Sequence, residues 1–407
     1  MLTRRHLLCC GAAAGLFTAL AGPARAGLLN PCRGGLPDAL RPLVERSFEG
    51  LDPAQLWDVH THLLGTGDSG SGCTVNAQLG QWWHPVEMLR KRVILSAACV
   101  PPDAPSIDRA YVQRLRALTD DFPAGPRWML FAFDQACDDA GRPHAGHTTF
   151  HVPDAYADHV AAETPQRFAW VASVHPYRPD ALARLDAALA GGAVALKWLP
   201  SSMNIDLRDA RLRPFYDRLA AARLPVIVHC GEERAVPGAG RDALGNPLLV
   251  RAALERGVRI VIAHCASLGT ALDLDRTRPR DVPAFSLFAR LMDEGWGERL
   301  LGDISVVLQT NREPEVARTL LTREDWQPRL LHGSDYPLPG IPAAVRLPVL
   351  VGAGLLDTAD AAPLQALREH NPLLFDLALK RLARWRGARL SAAVFATRPH
   401  FQRPMGA

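Results

Sequence analysis

The chain has 407 residues, of which 48% are hydrophobic and 22% charged, with a mean hydropathy of −0.02. It is long and apolar enough to bury a sizeable core, and its body holds no apolar run of the roughly 18 residues that a membrane-spanning helix requires. The formal charge is +4, but Arg4, Arg5 and Arg25 fall in an acid-free first 26 residues; the remaining 43 bases against 42 acids give no electrostatic reason to bind nucleic acid or an anionic membrane.

The N-terminus reads as a targeting segment. Thr3-Arg4-Arg5-His6-Leu7-Leu8 is similar to a twin-arginine signal, although the Phe and Lys that usually follow the arginine pair are missing. A moderately apolar Ala/Gly-rich run spans Leu7 to Ala21, and Ala24-Arg25-Ala26 supplies an A-x-A cleavage site. Residues 1–26 are therefore expected to be a signal peptide, and the protein is expected to be periplasmic or otherwise exported, with no stable membrane anchor. Residues 27–407 read as one domain. Six cysteines remain in it (32, 73, 99, 137, 230 and 265); an oxidising compartment permits disulfides, but the spacing suggests no pairing.

From Leu56 onward, short apolar runs alternate with helix-patterned segments. The runs are Leu56–Val59, Trp128–Phe133, Phe168–Val174, Ala193–Leu196, Pro225–Val228, Ile260–Ala263, Leu301–Val307 and Leu330–Leu331. Helical patterns lie between them at Ala181–Ala190, Leu212–Ala222, Leu248–Glu255 and Glu315–Leu321, and Val93–Val100 is read as part of a helix. Eight strand–helix units in one chain predict an α/β fold, a closed (β/α)₈ TIM barrel. The long polar loop Asp134–Tyr156, with His144, His147 and His151, has the length of a lid or binding segment.

Candidate chemistry collects at the carboxyl ends of these strands. Leu56-Trp57-Asp58-Val59-His60-Thr61-His62 sets two histidines two residues apart, which on a regular strand puts both imidazoles on one face. The fifth run ends in His229, the sixth in His264, and the last leads through His332-Gly333-Ser334 to Asp335. The fourth ends in Lys197, one of three lysines beside 43 arginines, which fits either an amine kept for chemistry or a buried cation paired with an acid. In a parallel barrel every strand's carboxyl end opens on one face, so these side chains converge on one mouth. Neutral imidazoles plus a carboxylate suit zinc or a similar divalent ion. Cys230 and Cys265 follow ligand histidines directly and are expected to point away from the mouth. His175, Trp198, Glu232, Glu233, Ser267 and Ser305 lie near strand ends and are weaker candidates for lining the pocket, with loop structure or helix capping as an equal explanation.

With these residues in place, the sequence resembles the amidohydrolase superfamily, and within it the amidohydrolase-related metal-dependent hydrolases, from about Leu56 to Asp376. His60 and His62 match the H-x-H after strand one, Lys197 the lysine after strand four, His229 and His264 the histidines after strands five and six, and Asp335 the aspartate after strand eight. The phrases Leu196-Lys197-Trp198-Leu199-Pro200, His264-Cys265-Ala266-Ser267 and Gly333-Ser334-Asp335-Tyr336-Pro337 are similar to those of the group. The resemblance implies a site of His60, His62, Lys197, His229, His264 and Asp335 holding one or two ions, with a lysine that in some members is carbamylated and bridges two metals. It also spans mononuclear members and decarboxylases. The expected activity is hydrolysis of an amide, ester or lactone-type bond in a small molecule, with Asp335 as base and His264 or a second ion polarising the scissile carbonyl. A decarboxylase of the same fold and a non-catalytic exported metal-binding protein are the rival classes. The sequence does not specify the substrate or the oligomeric state.

Overall fold

All eight apolar runs form parallel strands in the computed structural model of the chain, which describes residues 29–77, 85–233, 236 and 241–402. The signal segment expected at 1–26 lies outside the described residues. The strands are β1 (Trp57–His62), β2 (Arg127–Phe131), β3 (Phe168–Ala172), β4 (Ala195–Trp198), β5 (Val226–His229), β6 (Ile260–Ala263), β7 (Leu300–Asp303) and β8 (Leu330–Leu331). They pair in that order, and the ring closes where Val59 N–H donates to His332 O, Asp335 N–H to His60 O and His62 N–H to Tyr336 O. The result is an eight-stranded, nearly closed parallel barrel of the TIM type.

Strand alternation separates two cores. Trp57, Val59, Met129, Phe131, Ala169, Val171, Ala195, Ile227, Val261, Ala263, Leu301 and Leu331 fill the barrel interior, joined by Phe401 from near the C-terminus. Their neighbours Leu130, Leu196, Val226, Val228, Ile260, Ile262, Leu300 and Leu330 belong to the larger cluster between sheet and helices. Strands buried on both faces need apolar residues at consecutive positions, which explains why they read as continuous runs rather than alternating ones.

Boundaries move where a side chain captures the backbone. The seventh run was expected to reach Val307, but β7 stops at Asp303: its own carboxylate takes the Ser305 N–H at 2.6 Å, and Val306 has a left-handed φ of 52°. Val93–Val100 belongs, through Ala97, to the helix Pro85–Ala97. Leu248–Glu255 is a 3₁₀ turn, Pro247–Val250, running into one α-turn, Arg251–Leu254. Cys32 and Cys99, whose spacing suggested no partnership, form a disulfide with Cα atoms 5.5 Å apart. Cys230 and Cys265, which follow the ends of β5 and β6, are free, buried and part of the outer cluster, away from the barrel interior as expected. Among the described residues no helix is long and apolar enough to cross a membrane.

Candidate metal centre

A regular β1 would not bring both of its histidines inward, because Val59 already occupies the interior face. The register against β2 shifts between Asp58 and Thr61, and this bulge re-aims the following side chains. Asp58 Oδ1 accepts the His60 N–H at 3.1 Å at the same place. The His60 and His62 rings then both lie against Phe131 of the interior, with centroids 4.7 and 5.6 Å away, and 5.3 Å from each other. The shared direction expected from i, i+2 spacing is thus achieved through an irregularity rather than through ideal alternation.

Two left-handed turns deliver the partners from the other strands. After β6, His264, Cys265 and Ala266 have φ of 56°, 51° and 49°, and the His264 ring stacks on His60 at 4.7 Å. After β8, Asp335 has φ 61° and is tied back to β1 by its N–H bond to His60 O at 2.7 Å. Non-glycine residues in this region are uncommon and collect at functional sites.

These turns place Asp335 Oδ1 3.0 Å from His62 Nε2 and 3.4 Å from His60 Nε2, with Oδ2 3.8 Å from His264 Nε2. Two ligands held ~2.0–2.1 Å from one zinc at tetrahedral angles stand about 3.3 Å apart, so His60, His62 and Asp335 have the spacing of a shared ion. His229 and Lys197 lie beside this group. The His229 ring is 5.3 Å from that of His264, and Lys197 Nζ sits 5.0 Å above the Phe131 ring.

The buried polar atoms provide the test of fit. Asp335 Oδ1, His229 Nε2 and Lys197 Nζ are excluded from water and have no hydrogen-bond partner. An unsatisfied buried group costs on the order of 1–3 kcal/mol, and a cation held by Asp335 and the histidines would offset that cost for the carboxylate oxygen and the imidazole nitrogen. The imidazoles of His60, His229 and His264 are in the right protonation state for it. Burial, reinforced by Lys197 and the neighbouring rings, holds His60 well below its ordinary value; burial does the same for His264, and it also lowers His229 against the opposing pull of Glu233. Burial brings Lys197 down to about 8 although Asp303, Asp335 and Glu233 oppose it.

The remaining expectations divide. Ser305 belongs to the centre: its Oγ lies 2.7 Å from His264 Nδ1 and 3.4 Å from His60 Nδ1. Glu233 approaches His229 Nδ1 at 3.3 Å, and Ser267 Oγ accepts from Arg312 Nε at 2.9 Å. The Glu232 N–H donates to Leu268 O. His175 and Trp198 do not line the site: His175 Nε2 donates to Met203 O and the Trp198 indole to Val174 O, both as structural bonds. Nor do the histidines of the long loop reach it. His144 and His147 stack on each other at the surface, and His151 donates to Phe133 O.

Two acids went unnoticed in the sequence. Asp303 Oδ2 lies 2.5 Å from His60 Nδ1, with both side chains buried. Asp58 takes the backbone N–H groups of His60 and Ser334, and burial pushes it up to about 7 all the same. Asp303 carried one available signal, a carboxylate two residues beyond inward-facing Leu301 at a strand end.

The fold is a TIM-type barrel that gathers strand-end histidines and a final aspartate at one site. The amidohydrolase family model matches residues 57–373, and the chain belongs to that family. No curated protein matches the sequence. Among solved structures, similarity extends to an uncharacterised TIM-barrel protein from Bordetella bronchiseptica (18% identity, 71% of this chain and 88% of that chain, TM-score 0.47). It extends also to 4-oxalomesaconate hydratase from Rhodopseudomonas palustris (14%, 80% and 98%, 0.41) and 2,6-dihydroxybenzoate decarboxylase from Rhizobium (15%, 79% and 98%, 0.41).

Proposed function

We propose that the protein is an exported, metal-dependent hydrolase that uses an activated water to cleave an amide, ester or lactone-type bond in a small molecule. The observation that carries this reading is the convergence of His60, His62, His264 and Asp335 around buried polar atoms that have no protein partner.

His60, His62 and Asp335 would hold one divalent ion, with zinc the best match to two imidazoles and a carboxylate. A bound ion of this kind supplies a charge that brings the pKa of water towards neutrality and polarises a carbonyl. Asp335, whose buried carboxylate lies 3.0 Å from His62 Nε2, would take the proton of the attacking water and return it to the leaving group. The Asp303 carboxylate can only accept, so His60 carries its proton on Nδ1 and turns a bare Nε2 towards Asp335. His264, steadied at Nδ1 by Ser305, or a second ion held in part by its Nε2, would polarise the substrate carbonyl.

Lys197 extends the site to a second ion. A neutral amine adds CO₂ to give a carbamate and a released proton, and a buried lysine near 8 has an accessible neutral form. The carbamate oxygens, with His229 and His264, would complete the second ligand set. Export is supported by the Cys32–Cys99 disulfide, since such bonds persist in oxidising compartments.

The reading is tested by elemental analysis of protein purified without chelator, together with panels of amides, esters, lactones and carboxylic acids. One or two equivalents of zinc with hydrolysis that chelator abolishes is the expected result. Active protein with well under one equivalent of any transition metal would refute it, and CO₂ release without hydrolysis would transfer the site to decarboxylation.

A further inference from the structure

Lys380 is one of three lysines in the chain, and at 1% exposure it is buried behind the seam where β8 meets β1. It projects from the helix Pro372–Leu382, whose start is fixed by the Asn371 side chain accepting from the N–H groups of Leu373 and Leu374. Its Nζ donates to Asp376 Oδ2 at 2.6 Å, one helical turn earlier, and to the carbonyl oxygen of Gly333 at 2.5 Å. Gly333 opens the turn that ends in Asp335. A Cβ at Gly333 would meet His60 Cβ at 2.8 Å and Asp303 Oδ1 at 3.0 Å, so the turn packs directly on the candidate ligands. The next residue, Ser334, gives its N–H to Asp58 Oδ1 at 2.8 Å, the same oxygen that takes the His60 N–H.

The backbones that carry His60 and Asp335 are therefore clamped twice, through Asp58 on β1 and through Lys380 on the C-terminal helix. A buried ion pair on its own is a poor source of stability, because desolvation offsets much of its attraction. The bond to Gly333 O gives this pair a use beyond stability. A compact ammonium with three donors can serve a carboxylate and a carbonyl at once in a space where a planar guanidinium has a different shape. Asp376 and Lys380 both lie beyond residues 57–373, the stretch matched to the family.

We propose that Lys380, held in place by Asp376, is a positioning residue for the metal centre: it fixes the Gly333-Ser334-Asp335 turn against β1 and so sets the distance of Asp335 from His60 and His62. This inference rests on the reading of His60, His62 and Asp335 as metal ligands.

Cobalt(II) is the probe, because its visible spectrum reports ligand geometry and chelator competition reports its affinity. The Lys380→Met variant keeps the side-chain volume and lets Asp376, which burial has raised to about 6, take up a proton. The double variant Lys380→Met/Asp376→Leu removes the pair altogether. Both should bind cobalt about 10–100-fold more weakly, the range seen when groups that orient metal ligands are lost, with altered absorption bands. The metal-free forms should unfold thermally within a few degrees of the parent. Lys380→Arg, which retains charge and donors, should recover part of the affinity. Parental affinity and spectrum in both variants would overturn the proposal, as would failure of both to fold, which would make the pair a support for the whole barrel. A parent protein that binds no cobalt would refute the metal reading itself, and this inference with it.

Discussion

Asp303 and His60 meet through a carboxylate oxygen 2.5 Å from Nδ1, with both side chains buried at 0% and 1% exposure. The separation decides what Asp303 does. At this distance Asp303 accepts a hydrogen bond from His60 Nδ1, and Asp303, His60 and His264 together form a second buried group with the spacing of possible metal ligands. An acceptor at Nδ1 fixes both the ring orientation and the tautomer, and Nε2 is left with its lone pair towards Asp335.

Replacing Asp303 with Asn should leave the barrel folded while weakening zinc binding about 10–100-fold, because a neutral amide accepts more weakly and does not specify the tautomer. Chelator competition on the purified variant measures this. Unchanged affinity would mean that packing against Phe131 and His264 is enough to orient His60.

Most of the fold was legible because parallel strands buried on both faces leave runs of apolar residues, and each of the eight runs became a strand. The His60, His62 and Asp335 grouping was legible for a related reason: in a parallel barrel, strand ends share one face. What escaped was determined by tertiary contact. The bulge between Asp58 and Thr61 has no residue signature, and the inward placement of Asp303 does not by itself name His60, on another strand, as its partner. Cys32 and Cys99 are 67 residues apart and meet only when the chain is folded. Lys380 reaches Gly333 from a helix that follows the last strand, 47 positions away.

Acid stability should carry the mark of His175. Its Nε2 donates to Met203 O and its Nδ1 accepts from Tyr177 N–H, an arrangement that requires the neutral ring, and burial lowers it to about 4. The unfolded chain therefore takes up a proton near pH 6.5 that the folded chain refuses until about pH 4, so stability falls as pH drops through that window. The full loss is about 3 kcal/mol, approached at about 1.4 kcal/mol per pH unit. Urea unfolding at pH 7, 6 and 5 should show a shallower decline for His175→Gln than for the parent. Parallel pH profiles would exclude His175 as the source.

Export should depend on the arginine pair. Changing both Arg4 and Arg5 to Lys should trap the protein in the cytoplasm if the segment is read by the twin-arginine route, which carries folded chains and would allow metal to be loaded first. The Cys32–Cys99 bond should then be found reduced in the trapped protein and oxidised in the exported one, as thiol labelling can report. Undiminished export of the double variant would point to the general secretory route.

The number of ions turns on Lys197. Its amine is buried, has no hydrogen-bond partner and is depressed to about 8, conditions under which a neutral nitrogen can capture CO₂. Arginine cannot form a stable carbamate and remains charged, so Lys197→Arg should lose the second metal while His60, His62 and Asp335 still hold one. Lys197→Ala should also bind one metal fewer, and a short carboxylic acid added with excess zinc should restore part of its activity by supplying the missing oxygens. Carbon-13 NMR of the parent protein prepared with labelled bicarbonate should show a carbamate carbon that is absent from both variants. A parent protein with one equivalent of metal and no such signal would make the site mononuclear, with Lys197 left as an unmodified amine beside Asp335 and Asp303.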